Sequence, residues 1–167
     1  MMEQLKVAFS AYRNEDRFAD FTVVYGDKKC RLHRCFIAAH SKWFERCLSG
    51  SFSKDTECVI ELKDGQPEAV DRMIQYFYDF DYDGDLGNDS IAERKPYQKK
   101  AVDNVQLHAH VYEIAHKYEI PELKTLALTK FKQASAPVLT NGNQMLGAAY
   151  TVYKCIELPD HDRTLPG

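Results

Sequence analysis

Residues able to do chemistry gather in three short stretches of this sequence. The first is Asp79-Phe80-Asp81-Tyr82-Asp83-Gly84-Asp85-Leu86-Gly87-Asn88-Asp89-Ser90. It places acids at the first, third and fifth positions of a calcium loop, a glycine at the sixth and an apolar residue at the eighth. Calcium also needs a bidentate carboxylate at the twelfth position, which here is Ser90, and Glu93 comes too late to replace it. The stretch therefore reads as a solvated acidic loop. The second comprises Cys30, His33, Cys35 and His40, which carry zinc-ligating atoms but lack the Cys-x-x-Cys or His-x-x-x-His spacing of a zinc site. They read as strand and helix packing, with His33 as a hydrogen-bonding hinge. In the third, His108 and His110 point about 160° apart on a regular helix and do not converge. There is no glycine-rich phosphate loop, no Gly-x-Ser-x-Gly and no His-Glu-x-x-His. The residues designate no catalytic group, no metal and no cofactor, and an enzyme is not expected.

The elements that must position these residues follow from periodicity. Leu5, Ala8, Phe9 and Tyr12 have helical spacing over 4–12. Asp20–Tyr25 and Lys28–Leu32 read as two strands joined at Gly26-Asp27, where glycine accepts the positive φ of a tight hairpin. A compact helix follows over 34–39, and Ser41 is placed to cap the next, which carries Trp43, Phe44, Cys47 and Leu48. Cys58–Leu62 reads as a third strand, and Pro67 suits the first turn of a helix presenting Val70, Met73, Ile74, Phe77 and Tyr78. Residues 81–101 break all periodicity and read as an exposed, mobile insertion. Asp103 and Gln106 have capping-box spacing before the core stripe Leu107, Val111, Ile114, Ala115 and Tyr118. A helix from Pro121 with Leu123, Leu126, Ala127 and Phe131 should stop at Pro137, and Met145–Ile156 suggests a last one. Strands confined to the first 62 residues, followed by helices, indicate an α+β fold. The expected division is a domain over 1–135 and a C-terminal helix and tail over 136–167.

The chain has 167 residues, 44% of them apolar and 12% aromatic, enough to bury a core. Its formal charge of −3 gives no overall footprint for nucleic acid or an anionic membrane. No apolar run reaches the roughly 20 residues of a spanning helix, and the opening residues do not resemble a signal peptide. Five cysteines, an odd number, favour reduced thiols and a cytoplasmic or nuclear location.

Asp20-Phe21-Thr22-Val23-Val24, followed by Leu32-His33-Arg34-Cys35-Phe36-Ile37-Ala38-Ala39-His40-Ser41-Lys42-Trp43-Phe44, resembles the BTB/POZ signature of strand, hairpin and helix start. Val111-Tyr112-Glu113-Ile114-Ala115-His116-Lys117-Tyr118-Glu119-Ile120-Pro121-Glu122-Leu123-Lys124 is similar to a second segment of that family. The likeness runs from about Phe18 to Ala134, and Tyr150–Tyr153 with Asp160–Arg163 resembles the C-terminal helix of many fungal members. It implies a BTB/POZ fold, a small sheet of three or more strands covered by short helices. It also implies a non-enzymatic module that pairs with itself and makes adaptor contacts, some relatives recruiting cullin-RING ubiquitin ligases and others corepressors.

The stripe Leu5, Phe9 and Tyr12, on a helix too near the terminus to be covered on all sides by later elements, is the expected dimer face. Asp20 and Arg34 stand where relatives carry an acid and an arginine lining a groove at the dimer boundary, and a partly buried pair there would fix an interface. Cullin-binding relatives carry an apolar-x-Glu step, whereas this sequence has Phe52-Ser53-Lys54. The reversed charge at Lys54 argues against cullin recruitment, although Phe52 still suits an apolar pocket. No extended strand precedes the first helix, so a strand-swapped dimer is not expected.

Overall fold

The computed structural model describes residues 2–13, 15–49, 58–84 and 97–136. Their order is α1 (Met2–Arg13), β1 (Phe21–Tyr25), β2 (Lys28–Leu32), α2 (Arg34–His40), α3 (Lys42–Ser49), β3 (Val59–Glu61), α4 (Pro67–Asp79), α5 (Tyr97–Lys117) and α6 (Pro121–Ser135). The three strands form one sheet in the order β2-β1-β3. β1 pairs antiparallel with β2, Phe21 opposite Leu32 and Tyr25 opposite Lys28, and parallel with β3, Val23 opposite Ile60. The hairpin turns as its residues predict, with Gly26 at φ +52°.

Helix ends follow local chemistry. The Ser41 hydroxyl accepts the Phe44 amide hydrogen at 3.1 Å and donates to the Tyr118 carbonyl at 2.5 Å, so the cap of α3 also ties it to the end of α5. Pro67 and Pro121 occupy the first turns of α4 and α6, where a missing N–H costs nothing. α4 ends at Phe80, which is left-handed with φ 57°.

β1 lies at the centre of the sheet, and its Phe21, Val23 and Tyr25 are buried with Leu32, Ile37 and Phe44. Every residue of the expected apolar faces of α4 and α5 is buried: Val70, Met73, Ile74, Phe77 and Tyr78 on one, Leu107, Val111, Ile114, Ala115 and Tyr118 on the other. Each large side chain buried in this way contributes roughly 1.5–3 kcal/mol. The observed class is α+β, as expected.

Two boundaries differ from the sequence reading. α5 starts at Tyr97, so Asp103 and Gln106 lie inside the helix and form no terminal capping box. Gln98, Lys99, Lys100 and Ala101 are good helix formers, and they extend the helix backward into a stretch that reads as loop. The expected insertion 81–101 is therefore not one unstructured piece, because its last residues are helical and Tyr82 near its start is buried. Residues 85–96 and the expected helix over Met145–Ile156 lie outside the described residues.

Candidate interaction surface

The hairpin register brings Asp20 beside the start of α2, fourteen residues further along the chain. Asp20 Oδ1 accepts the backbone N–H of Arg34 at 2.8 Å, and Arg34 Nε donates to the Asp20 carbonyl at 3.3 Å. Asp20 thus caps α2 from a distance, placing a carboxylate where the helix leaves amide hydrogens unpaired. Sequence reading pairs the same two residues, but for a different role. The Asp20 side chain is 53% exposed and that of Arg34 20%, with Oδ2 4.0 Å from Nε, so within one chain the pair is already covered on its arginine side and open on its carboxylate side. With its carboxylate open to solvent, the pair is worth at most about 1 kcal/mol.

His33, next to this cap, is buried. Its Nε2 is 2.8 Å from the Arg17 carbonyl, which can only accept, so Nε2 carries the proton and Nδ1 accepts from the Tyr78 hydroxyl at 2.9 Å. The same hydroxyl accepts the His33 backbone N–H at 3.2 Å. Burial pushes the Tyr78 phenol up to about 12, which keeps it a donor. Both imidazole nitrogens are thus engaged. This is the hinge expected of His33, and it leaves neither nitrogen for zinc.

α1 does not leave its aromatic stripe bare. Phe9 meets Phe36 edge-on at 4.9 Å and Phe80 at 6.2 Å, and Tyr12 packs on His33 and Phe36 at 5.7 and 6.3 Å. The Ser10 hydroxyl and the Arg13 guanidinium both bond to Asp79, which clamps the helix to the end of α4. This packing leaves Phe9 and Tyr12 half-buried, so the expected open stripe is covered in part by the chain's own Phe36, Phe80 and His33. Phe36 and Phe80 stand at the rim of the core, and periodicity alone does not show that they are available as partners. Among its described side chains α1 exposes Val7, at 71%, together with Gln4, Ala8 and Ala11. The side chain of Leu5 lies outside the described residues, as do Phe52 and Lys54.

The carboxylates of the calcium pattern are directed to separate partners. Asp79 serves α1; Asp81 takes the Lys130 ammonium of α6 and the Tyr82 amide, both at 2.8 Å; Asp83 exchanges two hydrogen bonds with Gln75 at 3.0 and 3.1 Å. Among the described residues no group of His, Cys, Asp and Glu is placed to hold a metal.

Between these acids Tyr82 is buried, and its hydroxyl meets His108 Nδ1 at 2.8 Å. Lys130 lies over the Tyr82 ring at 4.9 Å and donates to its carbonyl at 2.9 Å. Burial, followed by the charges of Lys130 and Arg72, holds His108 down at about 4, so its imidazole is neutral at physiological pH. At Gly84 an added Cβ would stand 3.1 Å from the His108 ring. Sequence reading missed this latch, whose signal was one tyrosine in an otherwise acidic run. His110, on the other side of α5, pairs with Glu113 at 3.6 Å.

Sheet, cap and latch together define a small α+β domain whose polar groups are largely engaged in holding its own elements in place. The family model described as BTB/POZ domain matches residues 9–88. "BTB and MATH domain-containing protein 15" of Caenorhabditis elegans is 24% identical over 128 residues, 70% of this chain and 47% of that protein. "Kelch repeat and BTB domain-containing protein 1" of Ectromelia virus is 28% identical over 88 residues, 53% of this chain and 15% of that protein. The chain thus spans about half or less of the length of these relatives. The BTB domain of zebrafish PATZ1 superposes with a TM-score of 0.56 at 16% identity, covering 78% of this chain and 90% of that one. Residues 9–88 carry the BTB/POZ domain, and the described elements share the fold of solved BTB domains.

Proposed function

We propose that this chain is a non-enzymatic adaptor that pairs with a second copy of itself through the face carrying α1 and the Asp20–Arg34 cap. The observation behind the proposal is that α1, clamped to Asp79, turns an outward stripe of Val7, 71% exposed, with Ala8 and Ala11 away from the side that packs on Phe36 and Phe80. Apolar area held open by a rigid clamp suits a partner better than it suits water. A two-fold mate at this face would also bury the Asp20 carboxylate that one chain leaves solvated. Cys30, Cys35, Cys47 and Cys58 are free thiols, which fits a reducing compartment, cytoplasm or nucleus. A corepressor or a cullin scaffold is the further partner that the family resemblance suggests, with Lys54 disfavouring the cullin.

Sedimentation equilibrium tests the pairing. A dimer is expected at tens of micromolar, the concentration scale of modest association. Val7→Asp should weaken it about tenfold or more by placing a charge in an apolar contact, with circular dichroism unchanged. Phe9→Asp should instead damage the fold, because Phe9 packs on Phe36. A monomeric wild type at that concentration would sink the proposal.

A further inference from the structure

The sheet ends at β2, and the hydrogen-bond pattern shows which of its residues look outward. Thr22 donates its N–H to Cys58 and Val24 accepts from Leu62, both at 2.8 Å, so these β1 residues face β3. Phe21, Val23 and Tyr25 therefore face β2, where the register pairs them with Leu32, Cys30 and Lys28. Lys29 and Arg31 are left to direct their backbone N–H and C=O away from the sheet. Among the described residues no strand pairs with this edge.

Beside it runs a cleft of about 430 Å³, bounded by Lys29 and Arg31 of β2, by Asp71 and Arg72 of α4, and by Arg13 and Asp16 at the end of α1. The charges along this cleft are not evenly matched. Asp71 is already held by the Tyr25 hydroxyl and the Lys28 ammonium, both at 2.6 Å. Asp83, also on the cleft wall, is held by Gln75. Arg31 donates only to a neutral acceptor, the Ala19 carbonyl at 2.9 Å, and Lys29 is exposed. The cleft wall keeps the charges of Asp16 and Asp83, whereas β2 carries Lys28, Lys29 and Arg31 and no acid, so it is the strand edge itself that is positive.

That sign selects among occupants. Two copies of this chain pairing through β2 would set Lys28, Lys29 and Arg31 against their own duplicates, and like charges directly opposite each other oppose strand pairing. A strand with acidic residues at alternate positions would gain both the backbone bonds and the charge pairing. We infer that the β2 edge, with its adjoining cleft, is a docking site for an extended acidic segment of a partner protein, which adds to the sheet as a fourth strand beside Lys29 and Arg31. The strand pairing itself uses only the β2 edge, although the adjoining cleft reaches the end of α1 at Arg13, so the edge site is tested independently of self-association.

The test is a titration of the ¹⁵N-labelled full chain with a synthetic peptide of about eight residues alternating Val or Thr with Glu, a typical strand length. A matched peptide carrying Lys in place of Glu serves as control. The acidic peptide should shift the amides of Lys29 and Arg31 and protect them from hydrogen exchange; the basic peptide should do neither. Lys29→Glu should weaken binding about tenfold through charge. Lys29→Pro should abolish it by removing an outward N–H that the hairpin does not use, with thermal stability close to wild type. Equal binding of both peptides, shifts confined to other elements, or full binding by Lys29→Pro would each overturn the inference. So would protection of the Lys29 and Arg31 amides in the free protein, which would show the edge already covered.

Discussion

The His33–Tyr78 and His108–Tyr82 pairs use the same two side chains at nearly the same distance, 2.9 and 2.8 Å, yet they hold different structure in place. His33 joins three regular pieces: the hairpin that it ends, the helix α2 that it starts and the helix α4 that supplies Tyr78. Its second nitrogen is bonded as well, to Arg17. His108 joins α5 to the few residues that follow α4, and Lys130 of α6 completes the contact from above. The first pair is a joint within the sheet-and-helix core. The second is a latch that fastens a polar run to it. A nearby cation also separates them, since Lys130 and Arg72 add to burial in keeping His108 neutral. A buried histidine is thus characterised by the number of its bonds and the sign of its neighbours, and not by its residue type.

Three experiments would break or sharpen this contrast. The largest effect is expected from Tyr82→Ala, which empties a buried aromatic site and should cost about 3–5 kcal/mol in urea unfolding. If 80–84 were merely solvated loop, the change would stay within about 0.5 kcal/mol. His33→Ala comes next, at about 2–3 kcal/mol, because the buried Tyr78 hydroxyl and the Arg17 carbonyl both lose a partner. A cost no greater than that of a surface substitution would remove the joint reading.

The smallest effect is a dependence on pH. An unfolded histidine titrates near 6.5 and His108 in the fold near 4, so between these values the unfolded chain binds a proton that the native chain refuses. Stability is therefore full above about pH 6.5 and should decline by about 1–2 kcal/mol as pH falls toward 4. His108→Gln, which can still accept from Tyr82, should flatten that part of the profile. An unchanged slope would mean that His108 does not carry it.

What the sequence disclosed follows the same division. Hairpin, caps and apolar stripes could be read because each is local: Gly26 supplies a positive φ, Ser41 a hydroxyl, and Val111 to Tyr118 a helical face. The joint at His33 was also legible, since a lone histidine between strand and helix has few other uses. The latch was not, because Tyr82, His108 and Lys130 are far apart in sequence and meet only through the packing of α5 and α6. Asp20 and Arg34 do meet, with the arginine largely covered and the carboxylate exposed, but the capping of α2 by Asp20 was not read. For α1 the helix was clear and its covering was not, since Phe36 and Phe80 reveal themselves as partners only in three dimensions.

The parallel seam between β1 and β3 carries a kinetic consequence. The hairpin closes across Gly26-Asp27 and can form within microseconds without waiting for any distant part of the chain. The other side of β1 must wait for residues 59–61, which arrive only after α2, α3 and the segment that follows them. Closing a loop from Thr22 to Val59 costs about 3 kcal/mol of chain entropy before the first bond of the seam compensates for it. During that interval β1, the most buried strand of the finished sheet, has one side unpaired. Destabilising β3 should therefore slow refolding in stopped-flow measurements if the seam forms in the transition state, and chiefly speed unfolding if it forms afterwards.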